Sequence, residues 1–446
     1  MTKLNIMLDD EKWYQTITFK MLLIGLLVLI LLIPLGMVKS VIREREVTDE
    51  QVELEIMEQW GGPQVVSGPT MHVPVFYNVK DKDNEVSQIK KWLHIMPEDL
   101  DVNGNIETEL RKRGIYETPV YNANLNISGK FSNLHKMVHD ADEIDWQGAY
   151  VTMAVADNRG IKGKVSFSWN GEMSEPEAGL ITRDLSTSGM SLACPIDVES
   201  LNDDRPFSII LNLSGAKTLS FNPLGKKSSI TLQSDWKDPS FNGSFLPTTH
   251  DVNVDGFTAN WTITHLNRNF PQYWVGSRHK VYEHQLGVEL YVPVNHYQKS
   301  LRSAKYGILI ICLTLLVFLF IELVKKKTIQ ILQYLLVGLA LVLFFSILTA
   351  LSEHIGFTWA YVVASTSIIL MVTLYSYGIL GDRQQSFWIF LLLVVLYTFL
   401  FVLLQLNDFA FLAGNVGLFV ALGFIMKASS KIKNANVSDE KQALDS

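Results

Sequence analysis

Apolar residues are distributed very unevenly along the chain. Six stretches, 21–38, 306–323, 331–351, 357–380, 387–405 and 409–426, are continuously apolar and almost free of charge in their interiors. A bilayer core about 30 Å thick needs about 20 such residues at 1.5 Å each, so each stretch predicts a membrane-crossing helix. Five of them crowded into residues 306–426 leave no room for the alternative of buried helices in a soluble core. The first stretch reads as an uncleaved anchor. Its leader, residues 1–20, carries Asp9, Asp10 and Glu11, and its end, Leu35-Gly36-Met37-Val38-Lys39, lacks a small-x-small cleavage site.

Between the first and second stretches, residues 39–305 are polar and patterned differently. Val52, Ile56 and Trp60 recur every four residues among interleaved charges, predicting that a helical stem over 41–60 continues the first span until Gly61-Gly62-Pro63 stops it. Strand alternation follows. In Phe257–Thr264, apolar Phe257, Ala259, Trp261 and Ile263 alternate with polar neighbours, and Val165–Trp169 alternates likewise. Asn103-Gly104, Asn170-Gly171, Asn242-Gly243 and Asp255-Gly256 are turn signals. The expected fold class is membrane α+β: six transmembrane helices with a large β-rich, antiparallel, sandwich-like extracytoplasmic domain inserted between helices 1 and 2. Leu125–Gly129 echoes Leu211–Gly215, which leaves two related β-subdomains or a chance likeness of strand sequences as alternatives.

Charge sets the orientation. Lys325, Lys326 and Lys327 follow the second span, Arg383 the fourth, and Lys427, Lys431 and Lys433 the sixth, whereas the opposite short loops hold no Lys or Arg. The basic-loop rule then puts the leader 1–20 and the tail 427–446 in the cytoplasm and residues 39–305 in the periplasm. Balanced charges flank the first and second spans, but long domains translocate regardless of charge. Residues 39–305 hold 27 Lys and Arg against 35 Asp and Glu, an acidic balance that argues against nucleic-acid binding. Only two cysteines, Cys194 and Cys312, are present, one in the polar segment and one in a span, so no disulfide framework is expected.

Candidate chemistry is sparse. His135 and His139 with Asp140 suggest a metal site on one helix face, against the commoner reading of a solvated face; His279 and His284 are weaker candidates. Hydrolase elbows, phosphate loops and dinucleotide fingerprints are missing, so neither catalytic residues nor cofactors are expected. Glu322 sits at the cytoplasmic edge of the second span, where an ion pair is expected, beside Lys325 and Lys326 in sequence. Low-weight interaction candidates are Arg111 and Arg113 for acidic lipid or polymer, Glu353 and His354 at the outer boundary, and Asn415 in span six. Small residues Ala410, Gly414, Gly417 and Ala421 recur at helical spacing in that span and predict a close packing face. The expected partners are the lipid bilayer and envelope proteins, peptidoglycan or lipid head groups.

Several segments together resemble the CreD inner-membrane family. They are Arg111–Tyr116 with Pro119-Val-Tyr121, Asp157-x-Arg-Gly-Ile161, Ser220–Gly225, Pro239–Gly243, Pro293–Gln298, Ile331–Ala340 and Leu351–Gly356. The resemblance implies a cell-envelope integrity protein of the bacterial inner membrane, linked with tolerance to envelope stress such as β-lactams and certain colicins. It supplies no catalytic residues. A non-enzymatic envelope protein is the main expectation; a transporter or lipid-handling protein and a metal-dependent envelope hydrolase remain the alternatives.

Overall fold

A computed structural model describes residues 17–80, 86–137, 140–292, 296–325, 328–406 and scattered positions from 412 to 426. It divides into two compact units: one contains residues up to Thr48 and from Val294 onward, the other Asp49–Pro293.

In the first unit the helices are α1 (Ile17–Trp60), α2 (His296–Lys305), α3 (Gly307–Lys325), α4 (Ile331–Ile355), α5 (Phe357–Leu380) and α6 (Arg383–Gln405). Five stretches among the described residues are long and apolar enough to cross a membrane, with α2 and α3 forming one of them. Their outward faces are apolar, as at Leu22, Leu29 and Ile33 of α1 and Leu374 of α5, which suits lipid and would be costly in water. The stretch 409–426 lies largely outside the described residues; its described positions are helical. The basic approach to the second span proves to be the amphipathic helix α2, with Tyr297, Ser300, Ser303 and Ala304 buried and Arg302 and Lys305 in its last turn.

Small residues set the helix contacts. A Cβ on Gly338 of α4 would run into Leu31 of α1, and one on Gly417 into Phe399 of α6; Gly414 has ordinary contacts, and Ala410 and Ala421 lie outside the described residues. Gly338→Val should destabilise the bundle by about 1–3 kcal/mol through overpacking. Thermal melts in detergent would show it, with Gly378→Val, where a Cβ meets open space, as the silent control.

The second unit is a β-sandwich joined to the end of α1. Its first strands are β1 (Gln64–Lys80), β2 (Val86–Ile95), β3 (Asp99–Arg113), β4 (Tyr116–Phe131), β5 (Glu143–Ile144) and β6 (Tyr150–Val155). There follow β7 (Ile161–Trp169), β8 (Glu172–Ser174), β9 (Glu177–Ala178), β10 (Gly189–Ala193), β11 (Arg205–Ala216) and β12 (Thr218–Asn222). The last are β13 (Lys227–Ser234), β14 (Pro239–Gly243), β15 (Thr249–Asn253), β16 (Gly256–Thr264), β17 (Tyr273–Val275) and β18 (Leu286–Leu290).

One sheet runs β14-β18-β12-β1-β6-β10-β9, with β2 and β5 on β1 and β17 on β2; the other runs β15-β16-β13-β3-β4-β11-β7-β8. Both contribute to a single core, which holds Met71, Val73 and Leu93 from the first and Val102, Leu125, Ile209 and Trp261 from the second. The alternation expected in 257–264 is present in β16, where Phe257, Ala259, Trp261 and Ile263 are buried.

The sheets depart from the sequence reading in two ways. They are not purely antiparallel, because β1 pairs in parallel with β12 and β3 with β13. Asn103-Gly104 is no turn but lies inside β3: without a Cβ, Gly104 lets the side chains of Leu232 and Leu125 from the flanking strands close over it. The echoed words also come together in space. Leu125 and Leu211 face each other across the antiparallel β4–β11 pair of one sheet, so the repeated words are neighbouring strands. Asn170-Gly171 does form the expected hairpin turn, with φ of 51° and 88° between β7 and β8.

Helix α1 runs unbroken to Trp60. The amide of Gly61 donates to Met57 O at 3.0 Å and that of Gly62 at 2.8 Å, closing α1 with two glycines at positive φ. Ile56 and Met57 are buried with Val120 and Ala216, and Val52 and Trp60 pack alongside. Lys217 pairs with Glu53 at 2.6 Å, and Trp60 Nε1 donates to Tyr121 O at 3.2 Å.

Candidate functional site

The most unusual chemistry lies where strand register carries polar rings across three strands. His72 on β1 faces His94 on β2, which faces Trp274 on β17. Alternation turns His72 away from the core-facing Met71 and Val73, yet it is buried, as are His94 and Trp274. His72 Nδ1 is 2.7 Å from His94 Nδ1, His72 Nε2 is 2.7 Å from Thr152 Oγ1, and His94 Nε2 is 3.1 Å from Asp184 Oδ2. Asp184, in the segment between β9 and β10, is the exposed end of this chain.

One proton arrangement satisfies Thr152, both histidines and Asp184, while the buried Trp274 Nε1 has no hydrogen-bond partner among the described residues. A carboxylate only accepts, so His94 carries its proton on Nε2 and offers Nδ1 as acceptor; His72 donates to it from Nδ1, and Thr152 donates its hydroxyl to His72 Nε2. Both rings are then neutral. Burial pushes the His72 imidazole well below its ordinary pKa, with His94 beside it acting in the same direction. Burial also lowers His94, against the pull of Asp184. A proton added to His94 forces the chain to reverse, with His72 donating to Thr152, whose hydroxyl then loses its acceptor.

This row is a hydrogen-bonded relay without a reactive end, since Thr152 is itself buried. The paired Nδ1 atoms share a proton and stand too close to flank a zinc ion tetrahedrally at about 2.0–2.1 Å each. Among the described residues, no three His, Cys, Asp or Glu side chains are grouped to hold a metal. Sequence reading missed the row because His72 and His94 are brought together by register alone. The one available hint is a histidine inside the apolar run Met71-His72-Val73-Pro74-Val75, on a strand buried on both faces.

The residues singled out from sequence fall elsewhere. Arg111 and Arg113 end β3 at the tip of the β3–β4 hairpin, against the stem of α1: Arg113 pairs with Glu55, and the Arg111 guanidinium lies 4.5 Å over Trp60. His135 is exposed on a 3₁₀ turn, Leu134–Lys136, rather than on a longer helix, and His139 lies outside the described residues. His279 and His284 line one cleft together with Arg278 and Lys280.

In the membrane unit, Glu353 accepts from Tyr297 Oη at 3.0 Å and lies 4.0 Å from Arg45 Nε, so it ties α4 to α2 and to α1. His354 is exposed in the last turn of α4, and Asn415 is exposed in the sixth stretch. Glu322 finds its partners across the bundle: Lys20 Nζ on α1 at 2.6 Å and Tyr334 Oη on α4 at 2.7 Å. The neighbouring Lys326 lies outside the described residues.

A bundle of apolar helices with a β-sandwich between α1 and α2 in sequence defines a multi-pass membrane protein. The chain belongs to the CreD family: the model described as inner membrane protein CreD matches residues 16–434. It is 33% identical over 411 residues to the inner membrane protein CreD of Escherichia coli (strain K12), across 91% of both chains. The chain is thus a multi-pass inner-membrane protein.

Proposed function

We propose that this chain is a non-enzymatic protein that supports envelope integrity and tolerance of envelope stress, with its β-sandwich in the periplasm contacting an envelope partner. The observation that carries the reading is the sharing of α1. Residues to Thr48 belong to the membrane unit, while Asp49 onward is locked to the sandwich by Ile56, Met57, Trp60 and the Glu53–Lys217 and Glu55–Arg113 pairs. A load on the sandwich is passed to the bundle through that helix. In this reading both termini are cytoplasmic, and six spans with residues 39–305 outside complete the topology. Lys20 pairing with Glu322, and Arg45 approaching Glu353, agree with antiparallel α1 and α3 and with opposite membrane faces for the two pairs.

Orientation is checked by labelling single cysteines with an impermeant maleimide in a cysteine-free background. His250→Cys on the exposed strand β15 should react once the outer membrane is permeabilised, and Arg383→Cys should react only after lysis. Reaction in the reverse order would refute the topology. Function is checked by deleting the gene and restoring either the full chain or one lacking 49–293, each confirmed in the membrane. Only the full chain should restore growth under β-lactam or detergent stress; full rescue by the bundle alone would remove the sandwich from the function.

A further inference from the structure

We infer that the cleft lined by the segments that follow β14, β16 and β17 binds an acidic sugar, holding its carboxylate by Arg278 and Asn267; this rests on the reading that the sandwich faces the envelope. The cleft encloses about 600 Å³, within the roughly 300–1,000 Å³ of small-molecule sites. Its walls include Asn267, Asn269, Phe245, Arg278, Lys280 and His284.

Part of the hydrogen-bonding capacity of this cleft is already engaged within its own lining. Asn267 Oδ1 accepts from the amide and hydroxyl of Thr264, which fixes the amide and leaves Nδ2 to donate elsewhere. His284 Nε2 accepts from the Asn269 amide at 3.5 Å, so the neutral ring carries its proton on Nδ1. Glu283, the one acid in the lining, pairs with Lys280 at 3.7 Å, and the Ser244 hydroxyl donates to Glu283 O at 2.8 Å. Arg278 is exposed and makes no salt bridge to a described residue. A lining that carries Arg278 and Lys280 against the single acid Glu283, with Asn267 Nδ2 as a further donor, favours a ligand rich in acceptors and negatively charged.

Aromatic surface extends the match from an anion to a sugar. Phe245 stacks on His284 at 6.4 Å and an interplanar angle of 21°, giving a flat platform for the C–H face of a pyranose. Phe270 is held rigidly, because the buried Arg268 lies 4.1 Å over its ring while donating to the carbonyls of Leu224 and Phe270. Trp274 packs on both Phe270 and His279, two residues of the lining.

The test uses the full-length protein in detergent, titrated with N-acetylmuramic acid, N-acetylglucosamine and inorganic phosphate while tryptophan fluorescence and heat are followed. The acidic sugar should bind at least tenfold more tightly than either the neutral sugar or phosphate. Arg278→Gln should weaken it about tenfold and Asn267→Ala several-fold, with unchanged melting temperatures, while Lys164→Gln, on β7 of the other sheet from β14 and β17, should change nothing. Equal binding of phosphate would reduce the cleft to a general anion site and overturn the sugar assignment. Binding unaffected by Arg278→Gln, or no binding of the acidic sugar, would overturn the site itself. Either failure leaves the labelling and rescue results untouched, so the cleft and the envelope reading fail separately.

Discussion

Acidification from pH 7.5 to pH 5.5 should cost the sandwich on the order of 2 kcal/mol of stability, and His72→Ala should remove most of that dependence. In the unfolded chain an imidazole takes up its proton near pH 6.5, whereas His72 in the fold is held neutral far below that by burial and by His94. Below pH 6.5 the unfolded state therefore binds more protons than the folded one, so stability falls as pH falls. The full contribution is present above about pH 6.5, and each imidazole kept neutral adds a slope of up to about 1.4 kcal/mol per pH unit until its folded pKa is reached. His94 contributes in the same direction, more weakly because Asp184 opposes the effect. At pH 7.5, His72→Ala should itself cost about 2–4 kcal/mol, since it leaves Thr152 without its acceptor and His94 without its donor in a closed space. Melts followed by tryptophan fluorescence suit the measurement, because Trp274 packs 5.8 Å from His94. Carboxylates titrating at lower pH add a background common to both proteins; parallel pH profiles for the parent and the variant would show that the row does not titrate as described.

The membrane half of the molecule was legible because its signal is local and long. A run of 20 apolar residues needs no tertiary context, so 357–380 and α5 coincide and the stem over 41–60 emerges as part of α1. The sandwich was legible in class and in single strands such as β16, but not in pairing. Register depends on contacts between residues far apart in sequence, which is why the parallel β1–β12 and β3–β13 pairs and the strand-interior Gly104 ran against local turn and hairpin signals. The same cause hid the His72–His94 row. Charge patterns marked Arg111 and Arg113 as surface candidates without disclosing their contacts with Trp60 and Glu55 of the stem. The cleft around Arg278 was visible only as two unremarkable histidines, because its lining is drawn from three segments separated in sequence.

Lys20→Met should destabilise the bundle by about 3–5 kcal/mol, far more than Glu322→Gln, although both remove one member of the same ion pair. The asymmetry follows from exposure. Glu322 is 4% exposed and has no route to water, so loss of Lys20 leaves a buried carboxylate with a single hydrogen bond from Tyr334. The Lys20 side chain is 25% exposed, and its long stem lets the ammonium reach the aqueous boundary once Glu322 is neutral. Glu322→Gln also keeps a carbonyl oxygen to accept from Tyr334. The double variant Lys20→Met with Glu322→Gln should therefore recover most of the loss, giving a coupling well above the 0–1 kcal/mol of an exposed pair. Detergent melts of the four proteins, with membrane yield as a second readout, measure this cycle. Equal and small effects of the two single substitutions would mean that water reaches Glu322, and with it that α1, α3 and α4 do not seal this end of the bundle.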